Sequence, residues 1–214
     1  MVPNPLFADL SSNNAYFHAA AYRDAGHLIV AIKATEGTRY VNPEHRPWCY
    51  AAHTERLSVI HYHFARPDLG DDPDAEARFF LEVALPLAGG RDYLALDLER
   101  ATPAGWGHDP AWSAGFDRYV QAHSRFHTIL YANRSTLESN PGEWLVGDDR
   151  RIWDADWSKA PDFAPPGTWC AIRQQSGQTA GVPPFELPGC GPCDVDVARG
   201  AFWRYILNQR GYRG

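Results

Sequence analysis

Asp97 and Glu99 are the residues of this sequence best placed to do chemistry. They close the run Asp92-Tyr93-Leu94-Ala95-Leu96-Asp97-Leu98-Glu99, where an apolar stretch gives way to two carboxylates two positions apart. A β-strand turns alternate side chains to opposite faces, so both carboxylates point the same way. At ~3.3 Å rise per residue their Cα atoms stand ~6.5–7 Å apart. That is close enough for each to perturb the other's proton affinity, and it leaves room for a sugar ring between their tips. Such a pair can divide the work of acid-catalysed glycosidic cleavage, one group giving a proton and the other staying charged. The plain alternative is a strand end shedding charge into solvent.

A pair like this needs a strand buried along its length and a scaffold that gathers other groups around its end. Strand-like segments recur along the chain at Leu6–Leu10, Leu28–Lys33, Ser58–Phe64, Tyr93–Glu99, Thr128–Ala132, Arg151–Trp157, Trp169–Gln174 and Cys193–Val197. Helical spacing appears between them. Asp72 is a helix N-cap candidate with Pro73 in the first turn, leading through Ala75–Leu87. A second helix follows Asp109-Pro110 through Trp112, Phe116, Tyr119 and Val120. A short third lies around Ser135–Glu138, and Ala201–Asn208 reads as a closing helix with Phe202, Trp203, Tyr205 and Ile206 inward. The prolines of 159–167 forbid a long helix there. The pattern predicts a closed α/β barrel of about eight strands with helices mainly in the first half.

In such barrels chemistry gathers at the C-terminal strand ends. Those ends carry Asp9, Lys33 to Gly37, Tyr62 to Ala65, Asp97 with Glu99, Tyr131 to Asn133, Trp153 to Trp157 and Gln174-Gln175, while Asp194 to Asp196 lie on the eighth strand. Together they predict an acidic bowl walled by aromatics. Eight Trp and ten Tyr supply faces suited to pyranose C–H groups. The balance of 26 acidic against 20 basic residues offers nothing to nucleic acid. No stretch approaches the ~20 apolar residues of a membrane span. The N-terminus lacks the basic and apolar regions of a signal peptide, so release through a phage-type pore, or another secretion route, is the expectation.

Cys190-Gly191-Pro192-Cys193 has the spacing of a thioredoxin-type motif but sits late, in a Pro/Gly-rich loop. A loop-tightening pair or free thiols is the preferred reading, and no second paired-ligand motif supports zinc. Other residues also have structural readings. Asp9 could cap the Ser11–Asn14 turn, and Asp194 with Asp196 could be a solvated strand end or a calcium pair. His63 reads as a core histidine. Asp154 and Asp156 read as structural at least as readily as groove-facing. Lys33 and Glu36 read as a buried polar pair supporting the site.

The landmarks Asp9-Leu10-Ser11, Ile32 to Gly37, Tyr62-His63-Phe64, Leu96 to Glu99, Tyr131, Trp153 to Trp157, and Asp194-Val195-Asp196 with Gly200, in this order, resemble glycoside hydrolase family 25. These are the muramidases that include lysozymes of the Chalaropsis type, and the resemblance spans nearly the whole chain as a single catalytic domain, 1–214. It implies an irregular TIM-like barrel with about eight strands and five helices. It implies cleavage of the β-1,4 bond between N-acetylmuramic acid and N-acetylglucosamine in bacterial cell walls. Retention of configuration through the substrate's own acetamido group is the implied route. Position by position, Glu99 resembles the general acid and Asp97 its partner. Asp9 and Asp194 resemble further cleft acids, Tyr62, Tyr131 and Phe64 site aromatics, and Trp153 a groove aromatic. The resemblance implies no cofactor and no metal. Peptidoglycan strands are the expected partner, with no nucleic acid, no membrane insertion and a monomeric protein.

The sequence departs from the family pattern at Arg173-Gln174-Gln175, where Trp-Gln-Tyr is usual, and around Pro183–Cys193. Family 18 chitinases share an Asp-x-Glu pair but carry another Asp two residues earlier, where this chain has Ala95. A non-catalytic wall-binding scaffold would be expected to have lost Asp97 or Glu99. A metal-dependent barrel hydrolase would want His-x-His at the first strand, where Leu10-Ser11 stands. The short side chains of Ala132, Asn133 and Ala155 are expected to leave room for the branch of a muramic acid.

Overall fold

The structure, a computed structural model, describes residues 5–70, 72–99, 110–139, 144 and 150–211. In chain order its elements are β1 (Leu6–Leu10), α1 (Ala19–Asp24), β2 (Ile29–Glu36), β3 (Tyr40–Val41), α2 (His45–Thr54), β4 (Ser58–Phe64), α3 (Pro73–Ala84), β5 (Tyr93–Asp97), α4 (Pro110–His123), β6 (Thr128–Asn133), α5 (Arg134–Ser139), β7 (Arg150–Ala155), β8 (Thr168–Ser176), β9 (Glu186–Leu187), β10 (Gly191–Pro192), β11 (Asp194–Ala198) and α6 (Gly200–Gln209).

Eight strands close a barrel in the order β1, β2, β4, β5, β6, β7, β8, β11, with β11 pairing back to β1. The pairs from β1 through β8 are parallel, whereas β11 is antiparallel to both neighbours. That reversal matters for the site. The C-terminal end of β1 lies beside the start of β11, and Asp9 is in register with Asp194. The barrel expected from the sequence is therefore present, closed by a strand of opposite direction.

Period-two alternation sorts the side chains. On β5, Tyr93 and Ala95 join the barrel interior with Ile60, Tyr62, Ile129, Tyr131 and Trp153. Leu94, Leu96 and Leu98 face out, against Phe80, Leu81 and Phe116 of the flanking helices. A second outer layer packs Val30, Ile32 and Val59 against Tyr22, Trp48 and Cys49. Helix α6 stoppers the other end, with Phe202 edge-on to Tyr93 at a 5.0 Å centroid distance. Phe202 and Ile206 are buried there, but Tyr205 is 52% exposed, contrary to the expectation that it faces inward.

Asp72 caps α3 by accepting from the Ala75 N–H at 2.8 Å, with Pro73 in the first turn. The helix stops at Ala84, short of the expected Leu87, because Pro86 has no N–H to continue it. Gly115 lets α4 close on α3, since a Cβ there would stand 2.7 Å from Pro73 Cγ. Asp109, expected to open α4, lies outside the described residues. Helices α1 and α2 were not legible beforehand. The first is only six residues long, and the second carries Pro47 in its first turn, where proline is tolerated.

Candidate active site

The acids sit on the inner face of the barrel, at the end where β1 to β8 finish and β11 begins. Asp97 is the last residue of β5, and Glu99 lies two residues beyond the strand, which ends earlier than its sequence implied. Leu98 between them is buried in the outer core, so the alternation carries on past the strand. Asp97 is buried and Glu99 is partly open. Asp9 and Asp194 face each other across β1 and β11, and Tyr62 hydrogen-bonds Asp9. Asp9 takes no part in the Ser11–Asn14 turn, which Asn14 closes by accepting from the Ser11 N–H at 2.8 Å.

Below the rim, Trp153 is 1% exposed and donates from Nε1 to Asp196 Oδ1 at 2.7 Å. It packs against Phe7 and Tyr131, with centroids 5.9 and 5.3 Å away. The reading of Trp153 as a groove aromatic is therefore corrected. Its strand register places it under the floor, where it holds Asp196. The aromatic on the groove is Trp157, 45% exposed, with Nε1 donating to Gln174 Oε1 at 2.9 Å. Gly177 makes this possible, because a Cβ there would stand 2.7 Å from the indole. The only advance sign of Trp157 was its place directly after Asp156 in Trp153-Asp154-Ala155-Asp156-Trp157.

Arg173, on β8, is buried and turned to the loop that follows β7. Its guanidinium holds the 156–160 loop by donating to the carbonyls of Asp156, Ser158 and Ala160. Asp154 is buried on the outer side, bonded by Arg134 Nε at 3.1 Å and the Phe163 N–H at 3.1 Å, so its role is structural. The open groove, about 400 Å³, is lined by Glu99, Tyr131, Asn133, Ala155, Trp157 and Gln174 among others. Ala132 is not among them. It is fully buried in the outer core, since adjacent strand residues face opposite ways.

Lys33 lies 2.6 Å from Glu36 and 4.5 Å from the centre of the Phe64 ring, while Arg134 lines the groove itself. His63 is the core histidine expected of it, with Nδ1 2.8 Å from Thr35 Oγ1 and Nε2 2.7 Å from Glu76. Cys190 and Cys193 are free thiols with sulfurs 3.6 Å apart, buried under β11. The sequence shows no second paired-ligand motif for zinc beside Cys190 and Cys193, and suggests Asp194 with Asp196 as a calcium pair. Among the described residues, the group with metal-ligand geometry is His45, Cys49 and His61, on the outer face of β4 and away from the cleft.

The ring of carboxylates is costly to ionise. Burial raises Asp9, Asp97, Glu99 and Asp196, and neighbouring acids raise each further. Asp194 and then Glu99 act on Asp9, Glu99 and Asp9 on Asp97, and Asp194 on Glu99. Lys33 opposes this at Asp9, Asp97 and Glu99. Asp9 Oδ1, Asp97 Oδ1 and Asp196 Oδ2 are buried with no hydrogen-bond partner among the described residues. The sequence reading kept Asp97 simply charged and Glu99 simply protonated. Asp97, however, is itself raised well above its ordinary value by burial and then by the Glu99 and Asp9 carboxylates.

Asp194 provides a test. Burial pushes it up to about 6. An acid whose folded pKa exceeds its unfolded value, about 3.9, stabilises the fold below that lower value. The contribution is lost as pH rises through about 6. Asp194→Asn should therefore gain about 1–2 kcal/mol at pH 7 and almost nothing at pH 4. Urea unfolding at the two pH values measures this, and an unchanged midpoint at pH 7 would contradict it.

The family model for glycosyl hydrolases family 25 matches residues 8–177. The chain is 33% identical over 179 residues to the N,O-diacetylmuramidase of Chalaropsis sp, covering 74% of this chain and 81% of that one. It is 39% identical over 100 residues to the lysozyme of Streptococcus phage Cp-1, covering 45% of this chain but only 26% of the phage protein. In structure it is similar to the bacterial lysozyme from Streptomyces coelicolor, with TM-score 0.77, 20% identity and 100% of both chains covered. A muramidase from Trichobolus zukalii gives 0.74 at 20% identity over 96% of this chain and 99% of that one. At such identities the two structures speak for the fold, while the family match and the fungal relative speak for kinship. On these grounds the chain belongs to glycosyl hydrolase family 25, and is a glycoside hydrolase.

Proposed function

We propose that this protein hydrolyses peptidoglycan as an N-acetylmuramidase, cutting the β-1,4 bond between N-acetylmuramic acid and N-acetylglucosamine. The observation that carries the reading is Glu99, raised toward its protonated form at the edge of an aromatic-walled groove, with Asp97 buried beside it. Glu99 gives its proton to the leaving glycosidic oxygen as the C–O bond breaks. Tyr131 bears on that proton, its hydrogen bond to Glu99 pulling the carboxyl down against the effect of burial. Its hydroxyl donates to Gln174 Oε1 at 3.1 Å and lies within hydrogen-bonding reach of Glu99.

The acetamido oxygen of the muramic acid attacks its own anomeric carbon, and Asp97 accepts the acetamido N–H. Positive charge grows on the ring so formed. That charge makes an ionised Asp97 favourable in the complex, although burial opposes it in the free cleft. Water, deprotonated by Glu99 now acting as base, opens the intermediate from the face the leaving group left, which gives net retention. Trp157 offers a stacking face for a neighbouring sugar, and Asn133 and Ala155 leave room for the lactyl-peptide branch. No cofactor enters these steps.

Purified peptidoglycan incubated with the protein should lose turbidity and yield fragments ending in reducing muramic acid. Chitin oligomers should be turned over little or not at all. New ends carrying N-acetylglucosamine, or faster cleavage of chitin, would overturn the reading.

A further inference from the structure

On the outer face of β4, away from the carboxylates, three side chains converge that the hydrolytic chemistry does not use. His45 and Cys49 stand four residues apart on α2, and that spacing puts both on one face of the helix. They meet His61, whose neighbours Ile60 and Tyr62 face the barrel interior. All three are buried: His45 is 1% exposed, and Cys49 and His61 are 0% exposed. His45 Nε2 lies 2.8 Å from His61 Nδ1, and Cys49 Sγ lies 3.7 Å from the same nitrogen. The three ligand atoms all fall within 4.8 Å of one another.

We propose that His45 Nε2, Cys49 Sγ and His61 Nδ1 bind a zinc ion that ties helix α2 to the barrel wall. The first argument is hydrogen-bond arithmetic. His61 Nε2 faces Asp92 Oδ2 at 3.5 Å, which calls for a proton on Nε2 and leaves a single lone pair on Nδ1. Two donors compete for that lone pair, the His45 N–H and the Cys49 S–H. With His61 in that tautomer, only one of the two can have it. An ion that replaces the His45 Nε2 and Cys49 protons accepts a lone pair from each.

The second argument is the support behind the ligands. Metal-bound histidines ordinarily give their other N–H to a carboxylate. Asp92 fills that place, fixed by the Val59 N–H at 2.9 Å, the Gly89 N–H at 2.6 Å and His53 at 2.8 Å. The third is fit. With Zn–N of ~2.0–2.1 Å and Zn–S of ~2.3 Å, tetrahedral ligands stand ~3.3 Å (N to N) and ~3.6 Å (N to S) apart. The sulfur is already at that separation, and the two imidazoles need to part by about half an ångström. Two nitrogens and a thiolate suit zinc over magnesium or calcium, and a water can take the fourth position.

The test uses the full chain. Expressed with zinc supplied, it should purify with about one zinc per molecule by elemental analysis. Unfolded with chelator and refolded with cobalt(II), it should show a near-ultraviolet thiolate-to-cobalt charge-transfer band. Cys49→Ser should abolish the band. The triple variant Cys170→Ser, Cys190→Ser, Cys193→Ser, in which Cys49 is the sole thiol, should keep it, and it decides the matter if Cys49→Ser does not fold. A folded wild-type chain that carries no zinc and shows no cobalt band overturns the proposal. So does a band that survives Cys49→Ser or is lost in a folded triple variant.

Discussion

Glu99→Gln should leave a folded protein with almost no hydrolytic activity. The amide keeps the size and the hydrogen-bonding reach of the carboxyl group but has no acidic proton for the leaving oxygen. Loss of a general acid costs about 10²–10⁴-fold in rate. Thermal stability should hold or rise, because the substitution also removes one member of a crowded set of buried acids, raised by desolvation and by Asp194. The two readouts separate chemistry from folding. A variant with near-wild-type lysis would remove Glu99 from the role of acid. One that lost activity only because it failed to fold would show a collapsed melting transition.

The largest effect on stability is expected behind β4. Glu76 is fully buried on α3, where it accepts from His63 Nε2 at 2.7 Å and from the Arg66 N–H at 3.0 Å. Burial holds His63 below its ordinary pKa despite Glu76, so the imidazole is neutral at pH 7, with Nδ1 beside Thr35 Oγ1 and Nε2 beside Glu76. Glu76→Ala removes the partner of Nε2 and of the backbone N–H together. At about 1.5–3 kcal/mol for each hydrogen bond to a charged group, the cost should be about 3–5 kcal/mol. For a chain of this size that lowers the melting temperature by about 10 °C. Glu76→Gln retains an acceptor and should lose less. Below the melting range kcat should be unaffected in either variant, since His63 faces away from the cleft. A melting temperature within a degree of wild type would refute the argument.

Much of this could be read from the residues in order. Tyr93 to Leu96 is apolar on both faces because a barrel strand has the packed barrel interior on one side and helices on the other. That made the strand visible and placed Asp97 and Glu99 together. Asp72-Pro73 carries its own start signal, whereas the stop before Pro86 was overrun by the expectation of a helix to Leu87. What stayed hidden has physical causes too. Trp153 and Trp157 are equally good groove candidates by type, and only their register decides which is under the floor. The direction of β11 leaves no mark in its composition, since a short buried strand reads alike in either sense. The site at His45, Cys49 and His61 was invisible for another reason. Its ligands come from a helix masked by Pro47 and a strand in which the histidines alternate with barrel-facing residues.

The antiparallel closure has a consequence for how the molecule comes into being. Asp9 stands on the first strand and Asp194 on the last, and their pairing is what seals the wall. A chain leaving the ribosome holds Asp9, Asp97 and Glu99 long before it holds Asp194, and that pairing is among the most distant contacts the fold must make. The acidic ring thus cannot exist in a half-made chain. Asp194 takes its place opposite Asp9 only when the final strand pairs with the first.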